Sequence, residues 1–148
     1  FVHAAQFFGC IGQMLRAAMG MCAAQGNKPM LLVDGDASTM MHISDFDTAV
    51  RYKMPVLVVV LNDQALGSEY QKMVAHKMNA ELSAIPTPNL GEIAKSMGGR
   101  GALATSVDEV RKAAAVWAAK PGPMIIDARI SRNAITLADR RVLYGKDE

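Results

Sequence analysis

Short apolar runs alternate along the chain with longer stretches of helical spacing. Met30 to Val33 is a brief continuous apolar run that ends in Asp34-Gly35-Asp36. Val56 to Leu61 is the clearest strand, β-branched and apolar on both faces, and it closes on Asn62-Asp63. Runs of this kind are what a parallel sheet covered by helices requires. Met124 to Ala128 reads as a third strand and Gly101 to Ala104 as a weaker one. Between them, His3 to Gln25 reads as a helix rich in alanine and methionine, interrupted by Gly9, Gly12 and Gly20. Each glycine costs a helix about 1 kcal/mol relative to alanine, so their presence points to close approach of a ligand or a neighbouring element. Met40 to Tyr52 has helical spacing, with Ile43, Phe46, Ala49 and Val50 on one side, and Pro55 stops it. Gln64 to Lys77 is polar and partly helical, Pro86 and Pro88 mark a loop, and Leu90 to Met97 is a short helix stopped by Gly98-Gly99. Ser106 is placed to cap a helix over Val107 to Ala119, with Glu109 at the capping-box spacing. From Ser131 onward the sequence is charged and carries no strong pattern.

This alternation predicts an α/β domain: an open, mostly parallel sheet with helices on both faces. The expected division is one domain over residues 1–130 and a tail over 131–148. A length of 148 residues suits a single domain with a sizeable core. The 51% hydrophobic content is too high, and the net charge of +2 too low, for a disordered tail. That charge is also too weak for a nucleic-acid binder. No apolar run approaches the roughly 18 residues of a membrane span, and a secretory leader is not expected from the opening residues. Cys10 and Cys22 lack metal-ligand spacing; both are expected in the first helix as buried thiols in a reducing, cytoplasmic setting. The chain opens on Phe1, and the expectation is a processed or excised piece of something longer.

Two strands carry acidic residues at their carboxyl ends, Asp34 and Asp36 on the first and Asp63 on the second. With the Met40–Tyr52 segment as crossover, the two strands are neighbours and Asp36 and Asp63 fall on one sheet edge, where α/β sheets bind ligands. Two uncompensated carboxylates repel, and a hard cation such as Mg²⁺ removes the conflict, commonly sharing its coordination with ligand phosphates. Ala37, Ser38 and Thr39 lead into a helix whose first N–H groups suit a phosphate, and Gly35 permits the tight turn. Asp-Gly and Asn-Asp pairs also end strands simply because they turn well.

Gly35-Asp36-Ala37-Ser38, a helix, a strand and Asn62-Asp63 together resemble the thiamine-diphosphate motif, Gly-Asp-Gly followed at a distance by Asn-Asn. The run Thr48 to Val56 is similar to the segment before that Asn-Asn in acetohydroxyacid synthases and related 2-oxo acid decarboxylases. Gly9-Cys10-Ile11-Gly12 with Ala17-Ala18-Met19-Gly20 resembles the family's upstream glycine-containing segment, and Pro123 to Asp127 its closing strand.

The resemblance implies thiamine diphosphate and Mg²⁺ as cofactors. It gives Asp36 and Asp63 as side-chain metal ligands and the Ala65 carbonyl as a third. Gly35, Ala37 and Ser38 would face the diphosphate, with Leu66 and Gly67 nearby. Ile11 would lie beneath the bent cofactor, and Gly9 and Cys10 beside the aminopyrimidine. Ala37 departs from the usual second glycine, as in acetohydroxyacid synthases. Asp63 departs from asparagine and adds a negative charge beside the diphosphate. The implied chemistry is decarboxylation of a 2-oxo acid, or ligation of the resulting enamine to a second carbonyl. The family's catalytic glutamate lies in a pyrimidine-binding domain, on the same or a partner subunit, that no segment here resembles. No catalytic residue is therefore expected in this chain, which is either a fragment of a multi-domain enzyme or a separate small subunit. A homo-oligomer is implied; a flavin (FAD) would be bound elsewhere.

Glu69, Tyr70 and His76 are candidates for the substrate side, following the metal loop, and His42 is a weaker one. Trp117 is expected as a buried helix anchor, and Arg132, Arg140 and Arg141 as a basic tail, of a kind that the resemblance associates with folding over the active site. Two rivals share the acidic strand ends. One is a haloacid-dehalogenase-type phosphatase with Asp34 as nucleophile. The other is a receiver-like Mg²⁺-binding domain, which needs a lysine where Asp127-Ala128-Arg129 stands.

Overall fold

A computed structural model describes residues 9–145. The strands are β1 (Met30–Gly35), β2 (Val56–Asn62), β3 (Arg100–Ala104) and β4 (Met124–Arg129). They form one sheet in the order β1-β2-β4-β3 with every pairing parallel, as the two-face apolar pattern predicts. β1 and β2 are neighbours, Met30 pairing with Val56 and Gly35 with Leu61, so their carboxyl ends share one edge.

Alternation along each strand sends side chains to two separate cores. On one face Leu32, Val56, Val58, Val60 and Ile125 pack under α1 (Met14–Ala24), α3 (Phe46–Arg51) and α5 (Leu90–Ser96). In α1 the buried residues are Leu15, Ala18, Met19 and Cys22, a single helical stripe. On the other face Leu57, Met124 and Ile126 pack with Ala104 under α6 (Val107–Ala119). Val110, Ala113, Ala114 and Trp117 form the contact stripe of α6, and none is fully buried. Trp117 is thus a half-buried anchor, because its indole Nε1 must reach the Gly122 carbonyl at 2.7 Å.

Three expectations are corrected. Among the described residues the first helix begins at Met14, and the expected helix is interrupted before it: Gly9 and Gly12 take left-handed φ of 62° and 77° in a preceding turn. Cys10 therefore lies outside the helix and exposed; Cys22 is buried in it, and burial pushes its thiol pKa up. The start of the predicted segment, with His3, lies outside the described residues. The Met40–Tyr52 crossover is not one helix. It splits into α2 (Asp36–Met41), a 3-10 turn at Ile43–Asp45 and α3, so that helix starts directly on the β1 terminus. The patternless tail holds α7 (Leu137–Tyr144), capped by Thr136 and packed against α4 (Gly67–Ala75).

Candidate functional site

A cleft of about 290 Å³ opens at the carboxyl ends of β1 and β2. It gathers Ile11, Asp34, Gly35, Asp36, Ala37, Ser38, Asp63, Ala65, Leu66, Gly67 and Glu69 from the sequence candidates, and adds Leu61, Ser68 and Ile130. Gly9, Cys10, Tyr70 and His76 do not line it. The direction of α4 explains the last two. Glu69 sits in its first turn, while His76 follows its last residue, exposed and roughly 10 Å further along the axis. Tyr70 instead stacks under the Arg132 guanidinium, 5.3 Å from the ring centre.

Asp36 opens α2 and is buried. Burial pushes its carboxyl above the ordinary aspartate range, and the negative charge of Asp63 adds to the effect. Hydrogen bonds from the backbone of Ala37, of Asp36 itself and of Gln64 oppose it. Asp63 Oδ1 accepts from the Ala65 N–H at 3.1 Å. Its Oδ2 lies where a β-carbon on residue 67 would come within 2.5 Å, so the glycine there makes room for the carboxylate over the first turn of α4.

The loop between these groups is tightly held. Gln64 has a left-handed φ of 59°, an uncommon state for a side-chain-bearing residue. Its carbonyl accepts from Ile85 N–H, and Leu66 N–H donates to Ser83. Arg132 Nε and Nη2 donate to the Asp63 and Gln64 carbonyls at 3.4 and 3.1 Å. Of the three tail arginines, Arg132 is thus seen to reach the loop.

Asp34, also at the cleft, is engaged in a hydrogen-bonded cluster of its own. It accepts from the Gly35 N–H at 3.0 Å, Ser38 Oγ at 2.9 Å and Thr39 Oγ1 at 3.4 Å. Ser38 Oγ in turn accepts from the Gly12 N–H at 2.9 Å, which ties the loop carrying Ile11 to α2. The fully buried His42 ring sits with Nε2 3.4 Å from Asp34, and neither ring nitrogen is hydrogen bonded. So engaged, Asp34 is ill suited to act as a nucleophile.

Sequence reading missed the polar layer beneath Asp36. Asn62, Thr87 and Asp127 are all buried and linked by hydrogen bonds, with Thr87 Oγ1 within 3.4 Å of Asp36 Oδ2. One signal was available: a charged residue that directly follows the apolar run of a strand, as Asp127 follows Met124-Ile125-Ile126 in β4, must be paired when buried.

The donor chemistry fits a metal shared with a phosphorylated ligand. Among the described residues no group of three or more His, Cys, Asp or Glu could hold a metal ion by itself. Two neighbouring carboxylates, one of them buried, leave a charge conflict that a hard cation relieves and coordination positions for phosphate oxygens.

The chain is similar to known proteins along most of its length. Residues 1–128 match the family model "Thiamine pyrophosphate enzyme, C-terminal TPP binding domain". The large subunit of acetolactate synthase isozyme 2 from Escherichia coli K12 is 27% identical over 124 residues, 82% of this chain and 23% of its own. The acetolactate synthase large subunit of Buchnera aphidicola subsp. Schlechtendalia chinensis is 30% identical over 106 residues, 70% of this chain and 18% of its own. This chain therefore spans about a fifth of the length of these relatives. The fold matches that of Rhodococcus jostii RHA1 thiamine diphosphate-dependent 4-hydroxybenzoylformate decarboxylase, with a TM-score of 0.76 and 23% identity over 83% of this chain and 24% of that one. The family match spans both acidic strand ends and the sheet that carries them, and on it the chain belongs to the C-terminal, thiamine-pyrophosphate-binding domain family of thiamine pyrophosphate enzymes.

Proposed function

We propose that this chain holds the diphosphate and the Mg²⁺ of thiamine diphosphate in an enzyme that decarboxylates 2-oxo acids, ligates the product to a second carbonyl, or does both, as acetolactate synthases do. The observation that carries this reading is the convergence of Asp36 and Asp63 at one cleft, with Asp36 buried. Both carboxylates and the Ala65 carbonyl would hold the metal. Gly35, Ala37 and Ser38 would face the diphosphate, with Leu66 and Gly67 closing the far side. Ile11 lines the cleft from the loop that Ser38 anchors, and would support the cofactor ring from below, with Gly9 and Cys10 in the preceding turn. When bound, thiamine diphosphate supplies an electron sink for the cleavage next to a carbonyl. The chain's own residues bind, orient and partly desolvate it.

Catalytic groups would come from a pyrimidine-binding domain on the same or a partner subunit, so activity would need a homo-oligomer or a multi-domain chain. Residues 1–130 would form the cofactor domain and 131–148 a tail, held to the metal loop through Arg132. Glu69 would border the substrate. A flavin, where present, would bind outside this chain. No helix of the described residues is long and apolar enough to cross a membrane, and the cytoplasm is the proposed location.

Calorimetry tests the reading. Thiamine diphosphate should bind only with Mg²⁺, and Asp36→Ala should abolish that binding, in the presence of the pyrimidine-binding domain if the chain alone binds too weakly. Equal binding with and without the metal would refute it.

A further inference from the structure

Below Asp36 runs a line of buried polar groups that crosses the sheet. It begins at Asp127 on β4, whose side chain is fully buried. Asp127 Oδ2 accepts from the Leu90 N–H and from Arg129 Nη2, each at 2.9 Å. Its Oδ1 accepts from Asn62 Nδ2 at 2.9 Å. A carboxylate is an acceptor only, so the Asn62 amide cannot flip. Its Oδ1 must point away from Asp127, where it accepts from the Gln64 N–H at 3.1 Å and from Thr87 Oγ1 at 2.9 Å. Thr87 Oγ1 stands 3.4 Å from Asp36 Oδ2. Pro86 and Pro88 flank Thr87 and restrict the backbone that presents it.

We propose that Thr87, oriented by Asn62 and Asp127, is a positioning residue for the Asp36 carboxylate and thereby sets the metal affinity of the site. The inference rests on the reading of Asp36 as a metal ligand. The Thr87 hydroxyl has one proton and two acceptors, so it turns between Asn62 and Asp36 without moving its oxygen. Asn62 serves both sides of the site. The oxygen that receives Thr87 also receives Gln64 N–H, and Gln64 precedes Ala65, so one amide holds the Thr87 oxygen beside Asp36 and the start of the metal loop together. Hydrogen-bond partners behind ligating carboxylates typically change metal affinity by 10–100-fold. Metal–ligand distances are workable only within about 0.2 Å, so a carboxylate free to swing loses affinity without losing the fold.

The test is a Mg²⁺ titration of the holoenzyme at saturating thiamine diphosphate, read as calorimetric heat of cofactor binding rather than turnover. Thr87→Val keeps the shape and removes the hydroxyl, and should raise the Mg²⁺ concentration at half-saturation about tenfold or more. Thr87→Ser should restore it to within about twofold of the parent protein, since the donor returns. If the valine variant does not fold, Thr87→Ala takes its place with the same expectation. An unchanged half-saturation in the hydroxyl-free variant overturns the inference, whatever happens to the melting temperature. So does a serine variant that behaves like the valine one, because the hydroxyl is then not the agent. Asp36→Ala separates the two layers. Loss of metal-dependent binding there, with no effect at Thr87, leaves the metal-site reading standing and sinks the inference alone; retained metal-dependent binding sinks both.

Discussion

Gly67 offers a substitution whose effects on fold and on function should have opposite signs. A β-carbon at this position would lie 2.5 Å from Asp63 Oδ2, 3.4 Å from its Cγ and 3.7 Å from its Oδ1. Only the terminal oxygen is crowded, and the side chain that carries it can rotate. In Gly67→Ala the oxygen must retreat from 2.5 Å to ordinary contact at 3.4 Å, about 0.9 Å. A metal site tolerates about 0.2 Å, so the displacement exceeds the tolerance several-fold. An affinity loss of about 10–100-fold for Mg²⁺ is expected, equivalent to roughly 1.4–2.8 kcal/mol. The backbone does not share the penalty. Gly67 opens α4 and is not among the residues with left-handed φ. Alanine there restricts the unfolded chain and should stabilise the metal-free fold by up to about 1 kcal/mol.

The assay pairs a Mg²⁺ titration in the presence of thiamine diphosphate with thermal melting of the metal-free protein. The expected outcome is a higher melting temperature together with weaker metal binding. Parent-like metal affinity would refute the assignment of Asp63 as a ligand, because the crowding is fixed by the backbone. A joint fall in stability and affinity would refute the claim that only the side-chain tip is displaced.

Burial first, and Asp63 second, raise the Asp36 pKa in the folded chain, so its ionisation opposes folding. The favourable contribution is complete below the unfolded aspartate pKa and is lost as pH climbs through the raised folded one. Metal-free Asp36→Asn should therefore gain melting temperature relative to the parent from about pH 4 upward and lose all response to Mg²⁺; a pH-independent difference would count against the reasoning. Gly101→Ala should cost about 3 kcal/mol or more, seen as a lower denaturation midpoint, because its β-carbon would land in the Gly91 carbonyl of α5, a backbone group with little room to retreat. Glu109 accepts from the Thr105 N–H at 2.6 Å, which lowers its pKa, so its contribution is full above the unfolded pKa and lost as pH falls through the lowered one. A carboxyl NMR titration should find Glu109 below an ordinary glutamate, and Glu109→Gln should flatten the acid limb of stability.

What the sequence disclosed divides along sequence distance. Strand β2 and helix α6 were readable because their patterns are local: a β-branched run closed by Asn62-Asp63, and a Ser106 cap that does accept from Glu109 N–H. Glu109 itself reaches Thr105, the residue before the cap. The two acidic strand ends were readable because a single crossover joins them. The stretch from Gly9 to Gln13 was misread as helix because alanine-rich propensity hid the left-handed turn at Gly12, whose N–H is held by Ser38, 26 residues away. The pairings within the polar layer were hidden for the same reason in stronger form. Asn62 and Asp127 are 65 residues apart and Thr87 and Asp36 are 51 apart, and no periodicity encodes such a pairing. The strand order that makes Asp127 a neighbour of Asn62 is a property of the sheet: β4 lies beside β2, ahead of β3.

The cleft has two unlike sides, and together they narrow the kind of ligand that stabilises it. Asp36, Asp63 and the first turn of α2 present charge and hydrogen bonds along one wall. Ile11, Leu61 and Ile130 line the same space while 50%, 43% and 43% exposed. A free metal ion would answer the carboxylates and leave those apolar side chains in water. A simple hydrocarbon would cover the side chains and leave the buried Asp36 in conflict with Asp63. A ligand with a phosphorylated end and a flat, largely apolar ring answers both needs at once, provided a cation lies between the phosphates and the carboxylates. The two contributions are then coupled, since the cation and the ring occupy one cleft as a single bound unit. Removing either should weaken the other: Ile11→Ala should raise the Mg²⁺ needed at a fixed cofactor concentration, although its side chain cannot ligate a metal. Unchanged metal dependence in that variant would mean that the apolar wall and the acidic edge serve different ligands.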